Sequence, residues 1–161
     1  MPFNMETTGM DELEKKLGQL GEKGQEIASV GLYEGAGVMA DAVSRSVQGI
    51  DTEKFRYVQN GRKRKPSPEE KAMLEAAPKG VAKFRKNGVS VETSVGLSNA
   101  GYGQLWDKKK PIPLIANAIN SGTSFMDKQP FFRKAVSRTK AAATAAIENG
   151  ILKRAEEMIK E

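Results

Sequence analysis

The chain has 161 residues, 39% of them hydrophobic and 29% charged, and carries a formal net charge of +6 with a sequence pI near 9.5 and a mean hydropathy of -0.51. That length suffices for one domain with a core, since a chain of about 150 residues buries roughly two thirds of its unfolded surface. There is no cysteine and no histidine, which excludes disulfides, thiolate nucleophiles, zinc sites with the usual ligands and Ser-His or Cys-His catalysis. No Gly-rich phosphate loop and no metal-spaced cluster of carboxylates stands in the sequence. The expectation is a protein with no catalytic residues, no metal and no cofactor. No apolar run approaches the roughly 20 residues of a membrane span. The first residues, MPFNMETTGMDEL, are acidic and lack a continuous apolar core, so neither a signal peptide nor a membrane partner is expected and the cytosol is the predicted location.

In chain order, Asp11 to about Val47 reads as helix, with Leu13, Leu17, Leu20, Gly24, Ile27 and Gly31 on one face at steps of four and three. Six glycines lie between Gly18 and Gly37, although each costs about 1 kcal/mol relative to alanine in a helix interior. Two explanations stand. Gly24, Gly31 and Gly35 form a flat seam against another backbone, or the segment is two helices with a break near Gly21 to Gly24.

Gly49 to Lys65 loses the helical period and reads as a loop with a short strand at Phe55 to Val58, part of a variable basic insert over about residues 49–80. Within it, Ser67-Pro68-Glu69-Glu70 is a helix start: the Ser67 hydroxyl caps, Pro68 fills the first helical position and Glu70 reaches back to the Ser67 amide. A short helix to about Ala77 follows, ended by Pro78 and Gly80. Val89, Val91, Thr93, Val95 and Leu97 then alternate with Ser90, Glu92 and Ser94, the pattern of a half-buried strand. Val81 to Lys86 precedes it across Asn87-Gly88, a type I′ turn dipeptide, so Val81 to Leu97 is a predicted hairpin. Tyr102 to Trp106 adds an edge strand, Lys108 to Pro111 reads as a solvated turn, and Pro111 to Ile119 as a short helix or buried segment. Trp106 suits a core plug and an interface anchor equally well.

The segment Ser121 to Val136, SGTSFMDKQPFFRKAV, carries the most local information. Gly122 suits a positive φ, Asp127 or Gln129 can accept from a first helical turn, and Pro130 fits the first helical position. Phe131 and Phe132 open an amphipathic helix from about Pro130 to Lys160, whose stripe is Phe132, Val136, Thr139, Ala143, Ile147, Ile151, Ala155 and Met158. Phe125 and Met126 on the polar loop are interface candidates, the alternative being a satellite core under the loop. The predicted fold class is α+β: one domain over residues 1–161, with long N-terminal and C-terminal helices packed on a small antiparallel β-sheet.

Positive charge concentrates in the middle third. Arg62, Lys63, Arg64 and Lys65 are the candidate contacts to an anionic partner, with Phe55, Tyr57 and Phe84 near enough in sequence to stack bases. Because no recognition signature accompanies the run, it reads first as a solvated insert and second as part of a nucleic-acid-binding module. An enzyme using Asp107 or Glu92 as a base is the remaining class.

The two ends resemble a known family. Gly9, Leu13 and Leu17 match its opening helix, and Gly122, Thr123, Met126, Gln129, Pro130, Phe131, Phe132, Arg133 and Ala135 match its C-terminal turn and helix start. The family is the tail-component proteins of lambda-like siphophages, often called gene-product-ten-like, to which minor tail protein Z is related. Asn120 and Ser121 stand where an acidic and aromatic pair is usual, and Lys134 where a second proline is usual. The resemblance implies a structural virion protein of a phage or prophage, a neck or tail-completion component at the head-tail junction or tail end. Its implied partners are copies of itself in a ring and neighbouring head-completion, tail-terminator or tail-tube proteins. The implied location is the virion, and the bacterial host cytoplasm during assembly. Phe125 and the matched residues from Gly122 to Arg133 would then be interface candidates, and the basic segment would face an acidic partner or non-specific DNA.

Overall fold

The computed structural model describes residues 17–19, 21, 23–54, 61–77, 80, 81, 85–87, 90–97, 101–105 and 108–160. Two long helices dominate it. Helix α1, Gly24–Gln48, has 25 residues and α4, Phe131–Lys160, has 30, lengths of about 37 and 45 Å at about 1.5 Å per residue. They lie antiparallel, because contacts that rise along α1 fall along α4: Glu26 meets Arg154, Gly31 meets Gly150, Gly35 meets Ala143 and Ser46 meets Phe131.

Both explanations of the glycine-rich stretch are realised in part. Leu17 to Gln19 and Gly21 are helical, Lys23 sits in a turn, and α1 starts only at Gly24; the rest of Asp11 to Glu22 lies outside the described residues. The seam consists of Gly31 and Gly35, since a side chain on Gly31 would lie 2.7 Å from the Ile147 carbonyl oxygen and one on Gly35 2.9 Å from that of Ala143. Gly24 is not in it, having open space around its Cα. Absence of Cβ atoms lets the two backbones approach, and the stripe expected on α4 supplies the opposing surface.

Helix α2, Pro68–Ala76, begins with the anticipated capping box, Ser67 and Glu70 each bonding the other's amide. Leu74 is fully buried and Ile50 and Ala77 nearly so. The segment expected to be a variable insert is therefore a wall of the core, because its apolar side chains have α1 and the later elements to pack against. The strand predicted at Phe55 to Val58 lies outside the described residues.

The hairpin forms with a shifted turn. Strands β1, Gly80–Val81, and β4, Val95–Gly96, pair antiparallel, as do β2, Arg85–Asn87, and β3, Ser90–Glu92. Asn87 is itself paired opposite Ser90, so the turn centre falls one residue beyond Asn87-Gly88. Val91, Thr93 and Val95 are half-buried, Leu97 is buried and Glu92 and Ser94 are exposed, which is the expected alternation.

Strand β5, Tyr102–Leu105, pairs with β6, Lys108–Pro111, which replaces the solvated turn read at Lys108 to Pro111. A two-stranded ladder leaves lysines room to stay in solvent, and edge lysines discourage further pairing. Helix α3, Ile112–Ser121, then buries Ile112, Ile115, Ala116 and Ile119 on one face. The fold is α+β, long helices at both ends with small antiparallel strand pairs between, as the sequence predicts.

The seam makes a paired test. Gly37 has open space at its Cβ position, so Gly37→Ala should stabilise by about 0.5–1 kcal/mol. Gly35→Ala and Gly31→Ala should instead destabilise by about 1–3 kcal/mol, since a carbonyl oxygen must move. Urea unfolding of the three variants checks both signs.

Candidate functional site

The segment from Ile119 to Phe132 forms a joint where four pieces of chain are tied together. Gly122 ends α3 at φ 76 and ψ 168, a region open only to glycine, and an added Cβ would lie 3.0 Å from that of Lys128. The Thr123 hydroxyl accepts from the amides of Phe125 and Met126 at 3.3 and 3.0 Å, while the Thr123 amide donates to the Met126 carbonyl. This closed turn drives Met126 inward until it is fully buried. Met126 is thus a core residue rather than an exposed interface candidate, and Phe125 is half-buried against the same core. Met126 belongs to the main core itself rather than to a satellite core under the loop.

Gln129 is the clamp of the joint. Its carboxamide accepts from the Asp51 amide at 2.8 Å and donates to the Asp51 carbonyl at 2.7 Å, and its own amide donates to the Ile119 carbonyl at 2.8 Å. So engaged, it does not cap α4. The acceptor for the first turn is Asn120 Oδ1, 3.1 Å from the Phe132 amide, while the Asp127 amide is held by the Arg64 carbonyl. Pro130 stands just before the helix rather than at its first position, and its carbonyl accepts the first intrahelical bond, from Lys134. Ser46 of α1 donates to the Phe131 carbonyl at 2.6 Å. Phe131 is buried and Phe132 half-buried, so together they fix where α4 meets the core.

The basic run divides. Arg64 is 4% exposed and grips Glu70 with both terminal nitrogens, at 2.7 and 2.9 Å. It is therefore withdrawn from the candidate anion contacts: Glu70, also fixed by the Ser67 amide at 2.8 Å, offers a carboxylate inside the fold. The Arg64 backbone bridges the joint in parallel with Met126, donating to Phe125 and accepting from Asp127. Lys65 pairs with Asp51, and this hydrogen bond holds the Asp51 carboxyl below the usual carboxylate range and Lys65 above the usual lysine range. Arg62 and Lys63 are exposed, as is Arg133. Phe55, Tyr57, Phe84, Trp106 and Asp107 lie outside the described residues, and Glu92 is exposed.

Sequence reasoning missed the cleft beside the joint. Its volume is about 650 Å3, its floor includes Ala42, Ile50 and Ala135, and its lining carries Arg45, Lys128, Lys134 and Arg138 with no acidic residue among the described residues. All four cations are exposed. The available signal was the pair Lys134 and Arg138 one turn apart, off the apolar stripe. Arg45 and Lys128 come from other segments, which only the fold brings near.

Among the described residues, no group of three or more acidic side chains is arranged to hold a metal, and no helix is long and apolar enough to cross a membrane. Comparison with family models, with curated proteins and with solved structures found no match to this chain.

The buried pair gives a double-mutant test. Glu70→Ala leaves a buried guanidinium uncompensated and should cost about 3–5 kcal/mol. Arg64→Met combined with Glu70→Leu should cost much less than the two single changes summed, measured by urea denaturation; additive losses would mean the two side chains do not act together.

Proposed function

We propose that this chain is a structural virion protein of a phage or prophage, acting at the head-tail junction or tail end in neck assembly or tail completion through ring-forming contacts with its own copies and with adjoining neck or tail proteins. Catalysis plays no part in this role. The reading starts from the likeness of the sequence to the tail-component family. What supports it is that the matched residues work as one device: Gly122 and Thr123 make the turn, Met126 anchors it, Gln129 clamps it to Asp51, and Phe131 sets the root of α4. An adaptor needs such a device, because a protein that docks by shape must present its long helix at one angle.

The nucleic-acid reading draws on the same net charge, but two of the four residues it relied on, Arg64 and Lys65, are engaged within the chain. A steep fall of DNA affinity with rising salt would favour it.

In a phage or prophage carrying the gene, its disruption should leave unjoined heads and tails, and a plasmid copy should restore plaques. Phe131→Ala should lose about 3–5 kcal/mol of stability and fail to restore them, and Pro130→Ala should reduce restoration by misplacing α4. Particles that assemble and infect normally without the gene would overturn the proposal. Portal, capsid and tail-tube genes beside it would strengthen it.

A further inference from the structure

From the cleft beside the joint we infer that this protein binds an acidic, extended protein segment whose carboxylates alternate with apolar side chains. The inference adds a partner chemistry to the assembly role and does not depend on it, since binding is read on the isolated chain.

The charge arrangement comes first. Arg45 from the last turn of α1, Lys128 from the loop, and Lys134 and Arg138 from the first turns of α4 converge on one concavity that, among the described residues, has no carboxylate in its lining. Elsewhere Arg64 is paired with Glu70, Lys65 with Asp51, and Arg154 with Glu26 and Glu157. Asp41 lies one turn from Arg45, yet it is the Asp41 backbone carbonyl that takes the Arg45 Nε, at a long 3.4 Å. Like charges gathered on low-dielectric walls focus a positive potential.

Shape and floor decide between a protein and a nucleic acid. The cations line a cleft of about 650 Å3 between two helices, a space of small-ligand size that a duplex cannot enter. Phe131 is the sole aromatic among the described residues of the lining and is 5% exposed, so it offers no ring face on which a base could stack. Ala42, Ile50 and Ala135 give the floor an apolar character suited to aliphatic side chains. Spacing agrees with an extended peptide. Side chains one turn apart on a helix are about 5–6 Å apart, and alternate residues of a strand are about 6.6 Å apart, so carboxylates at i and i+2 can meet Lys134 and Arg138 together.

Fluorescence anisotropy with the full chain tests this, using a labelled short peptide that alternates Glu and Leu, its Gln-Leu counterpart, and a short labelled DNA duplex. The Glu peptide should bind in a salt-dependent way, at least about tenfold more tightly than the Gln peptide or the duplex. Arg45→Glu with Arg138→Glu should weaken it by about tenfold or more, and the milder pair Arg45→Gln with Arg138→Gln should weaken it in the same sense with an unchanged melting curve. Arg62→Glu with Lys63→Glu, exposed and outside the cleft, should stay within about twofold of the wild type. Absence of peptide binding by the wild type, equal binding by the cleft variants, or tighter binding of the duplex that the cleft variants abolish would each overturn the inference.

Discussion

The buried Arg64–Glu70 pair is the constraint on which the rest of the architecture hangs. A guanidinium withdrawn from water needs its charge met, and here two terminal nitrogens meet the two Glu70 oxygens while one also donates to the Lys65 carbonyl. Glu70 is in turn held at the start of α2 by the Ser67 amide. The pair thereby fixes the backbone at Arg64, and that backbone receives the loop after α3 as a parallel partner. Burial of Met126 follows, and with it the position of Gln129 and the root of α4. Apolar residues of similar volume could fill the same space at little loss of stability, but they would not select one register between two irregular segments.

The second constraint is the close approach of the long helices. Gly31, Gly35, Ala143 and Gly150 bring main chain against main chain, so dispersion contacts extend to the backbone and the seam has little freedom to slide. Arg154 reaches across to Glu26 at the far end, an exposed pair that contributes orientation more than stability. At the near end the Ser46 hydroxyl and the Gln129 carboxamide tie the helices through the joint. The antiparallel pair of α1 and α4 is therefore held at both ends and along its middle.

Local signals were legible in the sequence and tertiary ones were not. The Ser67–Glu70 capping box, the Gly122 turn, the α4 stripe and the alternation from Val91 to Leu97 all rest on interactions within a few residues, and each appears in the structure. Arg64 could not be told from Arg62 or Lys63 by pattern, because its inward turn depends on a carboxylate placed by a helix that starts later. Met126 looked stranded for the same reason: its place in the core goes with a backbone pairing to Arg64, far away in sequence. The α4 cap escaped because Asn120 reaches it from the end of the preceding helix, across a turn that closes only when Gly122 adopts a positive φ. Of the anion-binding candidates, the contiguous run was visible and the assembled cleft was not, since its four cations come from three separate segments.

The joint and the cleft are one feature seen from two sides. Ser46 is the residue after Arg45, and its hydroxyl is bonded to the first residue of α4; Gln129 follows Lys128, and its side chain is bonded at both ends to the backbone of Asp51. Each interaction that aims α4 thus also places a cation. Side chains carried on fixed backbone lose less freedom on binding than those on loose loops, so more of the electrostatic attraction remains as affinity. Substitutions that loosen the joint should therefore weaken the cleft without touching its charges, while substitutions of the charges should leave the joint intact. That asymmetry follows from the order of construction: backbone geometry first, potential second.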